Sequence, residues 1–150
     1  MRVIVQRAKD AYCKIDGKIV GESKNGFMLL VGFTNGDTEA DLDIVAKKVQ
    51  GLRICADENG KMNKSLFDIG GSILSISQFT LYADITGGYR PSFTNAMKGE
   101  LARPLYLLFN QKLREYGLVV EEGVFGADME IGFINIGPTT IIIDSKDLKK

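Results

Sequence analysis

The chain of 150 residues suits a single domain over 1–150, and its 19 basic side chains balance 19 acidic ones. That balance excludes a global positive field, and the absence of histidine excludes Ser-His-Asp or Cys-His relays and imidazole zinc sites. Apolar runs fall far short of the roughly 20 residues of a membrane span, and the start MRVIVQR lacks a signal-peptide profile, so we expect a cytoplasmic protein.

The first part of the chain predicts strands followed by one helix. Residues 2–8 alternate apolar and polar side chains as a half-buried strand does, and Asp16-Gly17 indicates a hairpin turn. Residues 26–33 are apolar enough for a buried strand. Asp37 or Thr38 then caps a helix with an apolar stripe, which predicts a helix packed on the sheet.

The second part of the chain predicts more strands and a second helix. Residues 72–83 alternate well enough for a central strand, which leads into a loop over 84–96. The second helix runs from about Glu100 to Tyr116, and residues 118–144 are rich in strand signals. Because strands outnumber helices, we expect an α+β domain with mixed, mainly antiparallel, barrel-like sheets flanked by two main helices.

Polar segments interrupt the apolar strands, and each has an ordinary structural explanation. Ser77, Gln78 and Thr80 fit the solvent-facing side of an alternating strand as well as they fit a site. Arg90 beside Tyr89 fits a surface loop, although the pair can also contact a phosphate or stack on a base. The segments themselves are residues 77–84, 87–93 and 135–140.

Local composition alone favours simple structural roles for the Gly-Pro pair and for the cysteines. Gly137-Pro138 indicates a trans turn, because only about 5–6% of X-Pro bonds in folded proteins are cis. Cys13 and Cys55 stand alone in strand-like segments, which favours small buried side chains over a disulfide or metal site. Nucleotide-binding glycine motifs are also missing from the sequence, so we expect no cofactor. Because the chain has no histidine and its two cysteines stand apart, we also expect no metal.

Two of the polar segments nevertheless form longer motifs. The chain has S-Q-F-T-L at 77–81 and N-x-G-P-x-T at 135–140, with VGFTNGDTEAD, GKMNKSL, RPSF and FGADM also present in order. In these residues the chain resembles the D-aminoacyl-tRNA deacylases over essentially its whole length. It departs from them at Tyr89, where a basic residue is usual, and at Ile136 and Thr139, which are more often Asp and Val.

The resemblance implies a homodimeric enzyme that hydrolyses the ester of D-aminoacyl-tRNA and removes glycine from tRNA(Ala). In this family the Gly-Pro peptide is cis and enters the partner subunit's active site, so Gly137 and Pro138 become the expected chirality filter. Such a filter acts by clashing with an L side chain, so many D-amino acids and glycine should be accepted. The other residues expected to bind substrate or support this loop are Asn135, Arg7, Met129 and Ala96.

The resemblance also implies RNA-assisted catalysis, in which a ribose 2′-hydroxyl at the 3′ end of the tRNA activates water. Ser77, Gln78 and Thr80 would then shape the adenosine pocket, and backbone amides near Phe79 would stabilise an oxyanion. A nucleophilic Thr140 is the alternative chemistry, although the sequence shows no base to activate it. Two competing functions are an editing domain of related fold that uses a threonine nucleophile and a non-catalytic RNA-binding module.

Overall fold

A computed structural model describes residues 1–149 as one mixed sheet with helices packed against it. The strands are β1 (Arg2–Ile15), β2 (Lys18–Gly32), β3 (Cys55–Ala56), β4 (Met62–Lys64), β5 (Ser72–Ser77), β6 (Val119–Glu122) and β7 (Glu130–Asp144). The helices are α1 (Glu39–Gly51), α2 (Leu66–Ile69), a 3-10 helix (Phe79–Tyr82), α3 (Gly99–Glu115) and α4 (Ser145–Leu148). In the part of the chain described, none of these helices has the length and apolar content that crossing a bilayer requires.

The main sheet has five strands in the order β6-β5-β2-β1-β7, and β3 pairs with β4 in a small separate sheet. Strand β1 runs antiparallel to both β2 and β7, whereas β2 pairs with β5, and β5 with β6, in parallel. The mixed sheet and the two long helices confirm the predicted α+β class. Within residues 1–149 the edge strands β6 and β7 do not pair, so the barrel-like sheet is open between them.

Local sequence signals set the ends of several elements. Asp16 and Gly17 adopt φ values of 50° and 78°, and two consecutive positive φ values give the tight turn that matches the twist of the β1–β2 hairpin. Thr38 is the N-cap of α1, and its amide donates to the Asp41 carboxylate at 2.9 Å. Gly117 follows α3 with φ of 99°, as a helix stop requires. The predicted hairpin and both helices are confirmed.

Apolar residues form a core on each face of the main sheet because side chains alternate along its strands. On one face Phe27, Leu29 and Val31 pack against the apolar stripes of α1 and α3. On the other face Met28 and Leu30 join residues of β1, β5 and β7. The second cluster consists of Ala8, Ala11, Cys13, Met28, Leu74 and Ile76, with Leu30, Met129, Ile131 and Phe133 packed against it.

The predicted central strand over 72–83 is wrong in its second half. Strand β5 ends at Ser77, and the last ladder bond runs from the Gln78 amide to the Val31 carbonyl at 2.8 Å. Its neighbour β2 stops at Gly32, so the chain beyond has no strand beside it that could accept further ladder bonds. The backbone therefore turns into the 3-10 helix, which places this motif at the end of the sheet.

Candidate active site

A pocket of about 670 Å³ opens where β5 gives way to the 3-10 helix. Its floor is apolar, because Leu30, Ile76 and Ile131 belong to the second core cluster. Residues 77–79 line one side, and residues 125–129 line another. The pocket is therefore an apolar cavity with a few polar groups at one edge, which is the usual form of a small-molecule site.

Backbone amides provide the hydrogen-bond donors at that polar edge. The 3-10 helix begins at Phe79, and the first amides of a helix have no intrahelical acceptor. Within residues 1–149 the amides of Phe79 and Thr80 donate to no protein group, and of these two residues Phe79 lines the pocket. Ser77 and Gln78 are half-buried beside them. This edge can therefore bind an oxygen atom that carries negative charge.

An aromatic contact connects the pocket to the loop over 84–96. The Phe79 ring packs edge-to-face on Phe93, with ring centroids 5.0 Å apart and an interplanar angle of 69°. Ala96 lies at the end of the loop, where it forms a bridge with Thr34 and lines the pocket. Lys98 lines the pocket two residues later, and Asp128 lines it too, so the wall carries one charge of each sign. The loop therefore forms part of the pocket wall.

The Gly-Pro motif lies in a bulge of β7, which we call the Gly-Pro bulge and define as residues 136–139. Gln6 pairs with Thr140 and Ala8 pairs with Asn135, so the single residue between them on β1 faces four residues of β7. The Gly137-Pro138 peptide is cis in this bulge, as the family resemblance implies and as local composition alone does not. Gly137 and Pro138 are both exposed in the single chain.

Side-chain hydrogen bonds hold the base of the bulge. The Arg7 guanidinium donates to the Ile136 carbonyl at 3.3 Å and to the Ile54 carbonyl at 2.9 Å. The Asn135 amide donates to the carbonyls of Arg7 and Thr139, both at 3.0 Å. These bonds join both ends of the bulge to β1 and to the loop before β3. Arg7 therefore contacts the loop that the sequence analysis expects it to support, and its role in function stays a prediction.

The candidate nucleophiles near the bulge lack the surroundings that would activate them. The Thr140 hydroxyl lies 3.4 Å from both the Asn135 Oδ1 and the Gln6 Nε2, and neither amide can act as a general base. Burial raises the pKa of the Cys55 thiol, although the Arg7 guanidinium opposes that shift. The thiol therefore stays protonated at neutral pH. Among the residues described, no three carboxylate or thiolate groups form a metal site.

The predicted site residues fall in two separate places within one chain. The pocket is lined by Ser77, Gln78, Phe79, Ala96 and Met129. The bulge and its supports contain Arg7, Asn135, Gly137, Pro138 and Thr140. Thr80 is exposed on the 3-10 helix and does not line the pocket. Sequence reasoning missed Phe93 and Lys98 as pocket residues, although Phe93 lies in the RPSF segment.

Comparison with known proteins identifies the family. The model of the D-Tyr-tRNA(Tyr) deacylase family matches residues 4–144, a span that includes both the pocket and the bulge. The chain belongs to this family. A D-aminoacyl-tRNA deacylase from Listeria innocua is 52% identical over 150 residues, which is 100% of both chains. Another from Anoxybacillus flavithermus is 56% identical over 146 residues, or 97% of this chain and 100% of the relative.

Solved structures share the fold. The c-Myc DNA Unwinding Element Binding Protein superimposes with a TM-score of 0.89 at 34% identity, covering 96% of this chain and 98% of that one. A probable eukaryotic D-amino acid tRNA deacylase superimposes with a TM-score of 0.80 at 18% identity, covering 95% and 97%, and this likeness supports the fold alone. Membership of a deacylase family makes the chain a hydrolase, as its motifs predict.

Proposed function

We propose that the protein hydrolyses the ester bond of D-aminoacyl-tRNA, and of glycyl-tRNA(Ala), in a homodimeric site made from two subunits. The observation that carries this proposal is the separation of the pocket from the Gly-Pro bulge within one chain. The pocket has an unpaired backbone amide at Phe79 and room for an aminoacyl group, whereas the bulge is exposed and contributes no residue to the pocket lining of its own chain. A second copy of the chain completes the site if its bulge closes the first copy's pocket.

The surface of β7 supports pairing between two copies. It is an edge strand, and Ile134 and Ile142 are 52% and 69% exposed on it. An uncovered edge strand with exposed branched apolar side chains favours association with another chain. In a two-fold dimer both copies use the same patch. Because the bulge belongs to the strand that carries this patch, each bulge then reaches the other subunit. The active sites then occur as a pair.

A rigid bulge can select the substrate's configuration by exclusion. Gly137 and Pro138 present backbone atoms, which cannot move aside as a side chain does when the anchors at Arg7 and Asn135 hold the loop. An L side chain directed at this backbone clashes, a D side chain points away from it, and glycine has no side chain to exclude. The expected substrates are therefore many D-aminoacyl-tRNAs together with glycyl-tRNA(Ala).

The chemistry requires no activated side chain in this proposal. The 2′-hydroxyl next to the ester orients and activates a water molecule, whose oxygen adds to the carbonyl carbon. The Phe79 amide stabilises the oxyanion that forms, a contribution of roughly 3–4 kcal/mol for one well-placed donor. The ester C–O bond then breaks, and the 3′ oxygen takes up a proton as the free amino acid leaves. Its substrate places the enzyme in the cytoplasm.

The threonine-dependent editing domain is the less favoured alternative. The Thr140 hydroxyl is contacted by side-chain amides, and no base lies beside it to activate it. A non-catalytic RNA-binding module would have no use for a recessed apolar pocket with free amides at one edge. The observed geometry favours hydrolysis over both.

Mixing subunits tests the composite site. Ala96→Trp fills the pocket and Gly137→Ala distorts the bulge, so we expect each homodimer to be nearly inactive on D-tyrosyl-tRNA. Unfolding and refolding the two variants together should restore about a quarter of wild-type activity, because half of the dimers are mixed and each mixed dimer has one intact site of two. Differently tagged chains verify that mixed dimers have formed. If such mixtures recover no activity, each site lies within one chain.

A further inference from the structure

The tip of the loop over 84–96, which we define as residues 87–91, exposes an aromatic ring beside a cation. The Tyr89 side chain is 106% exposed, and its neighbour Arg90 is also exposed. The segment is GGYRP, so glycines precede the pair and a proline follows it. Gly88 has a φ of 148°, a backbone conformation that L residues rarely adopt. The sequence thus allows a sharp tip that presents both side chains to solvent.

The base of the loop fixes the position of this tip. Asp84 and Ser92 exchange two backbone hydrogen bonds of 2.8 and 2.9 Å, which close the loop as a short bridge. The Asp84 carboxylate accepts from the hydroxyl and the amide of Thr86 at 2.6 and 2.9 Å, so its charge is already engaged. Phe93 follows the bridge and packs on Phe79 in the pocket wall. The tip therefore ends two residues before Phe93, a residue of the pocket wall.

We propose that Tyr89 and Arg90 bind the unpaired RNA strand that leads to the terminal nucleotide in the pocket, with a base stacked on Tyr89 and a phosphate paired with Arg90. This inference rests on the proposed function, since it assigns a contact surface for the same substrate. A tyrosine face can stack on any base, and a planar guanidinium matches a phosphate. Lys98 supplies a positive charge in the pocket lining, which also contains Asp128.

Distances along the chain are compatible with this path. Phe93 in the pocket wall lies four positions after Tyr89, and a fully extended segment of that length spans at most about 14 Å. Stacked nucleotides rise about 3.4 Å each, so the tip lies within about four nucleotides of the pocket. The strand that stacks on Tyr89 is therefore the single-stranded 3′ end of the tRNA and not its paired stem.

The first test separates binding of the strand from chemistry in the pocket. Tyr89→Ala should lower kcat/KM for D-tyrosyl-tRNA by about tenfold through KM, with kcat unchanged, because one stacked base is lost. The same variant should cleave 3′-O-(D-tyrosyl)adenosine at the wild-type rate, and Tyr89→Phe should behave as wild type on both substrates. Tyr116→Ala is the matched control, since Tyr116 is also exposed, at 44%, but lies beyond α3.

Binding of uncharged RNA tests this contact surface separately from hydrolysis. An uncharged acceptor minihelix with its unpaired 3′ end should bind Tyr89→Ala about tenfold more weakly than wild type, whereas a blunt minihelix should bind both equally. Tyr89→Lys should make binding more salt-dependent, with a slope steeper by about 0.7 for one added phosphate contact. The proposal is overturned if Tyr89→Ala weakens binding of both minihelices equally or leaves binding unchanged. It is also overturned if this variant lowers kcat/KM equally for the tRNA and for the adenosine ester.

Discussion

Replacing Gly137 with alanine is expected to slow D-tyrosyl-tRNA hydrolysis by about two orders of magnitude, because misplacing a positioning group by about 1 Å can cost that much. Gly137 has a φ of 114°, and an added Cβ would lie 2.5 Å from the Thr139 hydroxyl and 2.9 Å from the Arg7 guanidinium. The bulge must therefore shift, and the Arg7 anchor must shift with it. Initial rates with saturating enzyme measure this effect.

A second glycine provides the matched control for backbone strain. Gly60 also has a positive φ, 75°, but an added Cβ there meets nothing within 4 Å. Gly60→Ala should thus cost a similar backbone penalty of about 1 kcal/mol and leave the hydrolysis rate unchanged. Thermal unfolding should show that both variants are folded, with Gly137→Ala the less stable of the two because only its Cβ clashes. A Gly137→Ala enzyme with wild-type activity would remove the bulge from the proposed site.

Removing the substrate's 2′-hydroxyl is expected to have the other large effect. D-tyrosyl-tRNA that ends in 2′-deoxyadenosine and is charged on the remaining 3′ oxygen should react about 10²- to 10⁴-fold more slowly, the usual contribution of a general base. It should still bind nearly as well as the normal substrate, because the hydroxyl acts only in the transition state. Single-turnover rates and equilibrium binding, measured on both substrates, separate the two quantities.

Side-chain variants complete this test of the catalytic group. Thr140→Ala and Ser77→Ala should each keep substantial activity on the normal substrate, since the proposal assigns no proton transfer to either hydroxyl. A lost nucleophile would instead reduce the rate by several orders of magnitude. Fast cleavage of the deoxy substrate by the wild type, abolished by Thr140→Ala, would establish a threonine nucleophile in place of the RNA hydroxyl.

Much of the fold follows from local signals in the sequence. Asp16-Gly17 determines the turn of the β1–β2 hairpin, Thr38 marks the start of α1, and Gly117 follows the end of α3. The end of β5 at Ser77 could not be predicted this way, because the alternation of side chains continues beyond it. That strand stops because its neighbour does, which is a property of the assembled sheet.

The candidate site shows the same division between local and tertiary information. The two motifs indicate which segments carry chemistry, but no spacing in the sequence shows that one lines a pocket while the other lies in an exposed bulge. Composition alone likewise predicts the wrong isomer for Gly137-Pro138, since the bulge depends on hydrogen bonds that join it and Asn135 to Arg7, which is distant in sequence. Phe93 was missed because only its contact with Phe79 places it at the pocket.

The most direct measurement of the central claim is the release of amino acid from D-tyrosyl-tRNA and L-tyrosyl-tRNA under identical single-turnover conditions. The composite site should cleave the D ester at least about a hundredfold faster, because a clash of the L side chain with the Gly-Pro bulge costs several kcal/mol and each 1.36 kcal/mol is tenfold in rate. Glycine on tRNA(Ala) should be released as well. Comparable rates for the two tyrosyl enantiomers would contradict selection by the bulge.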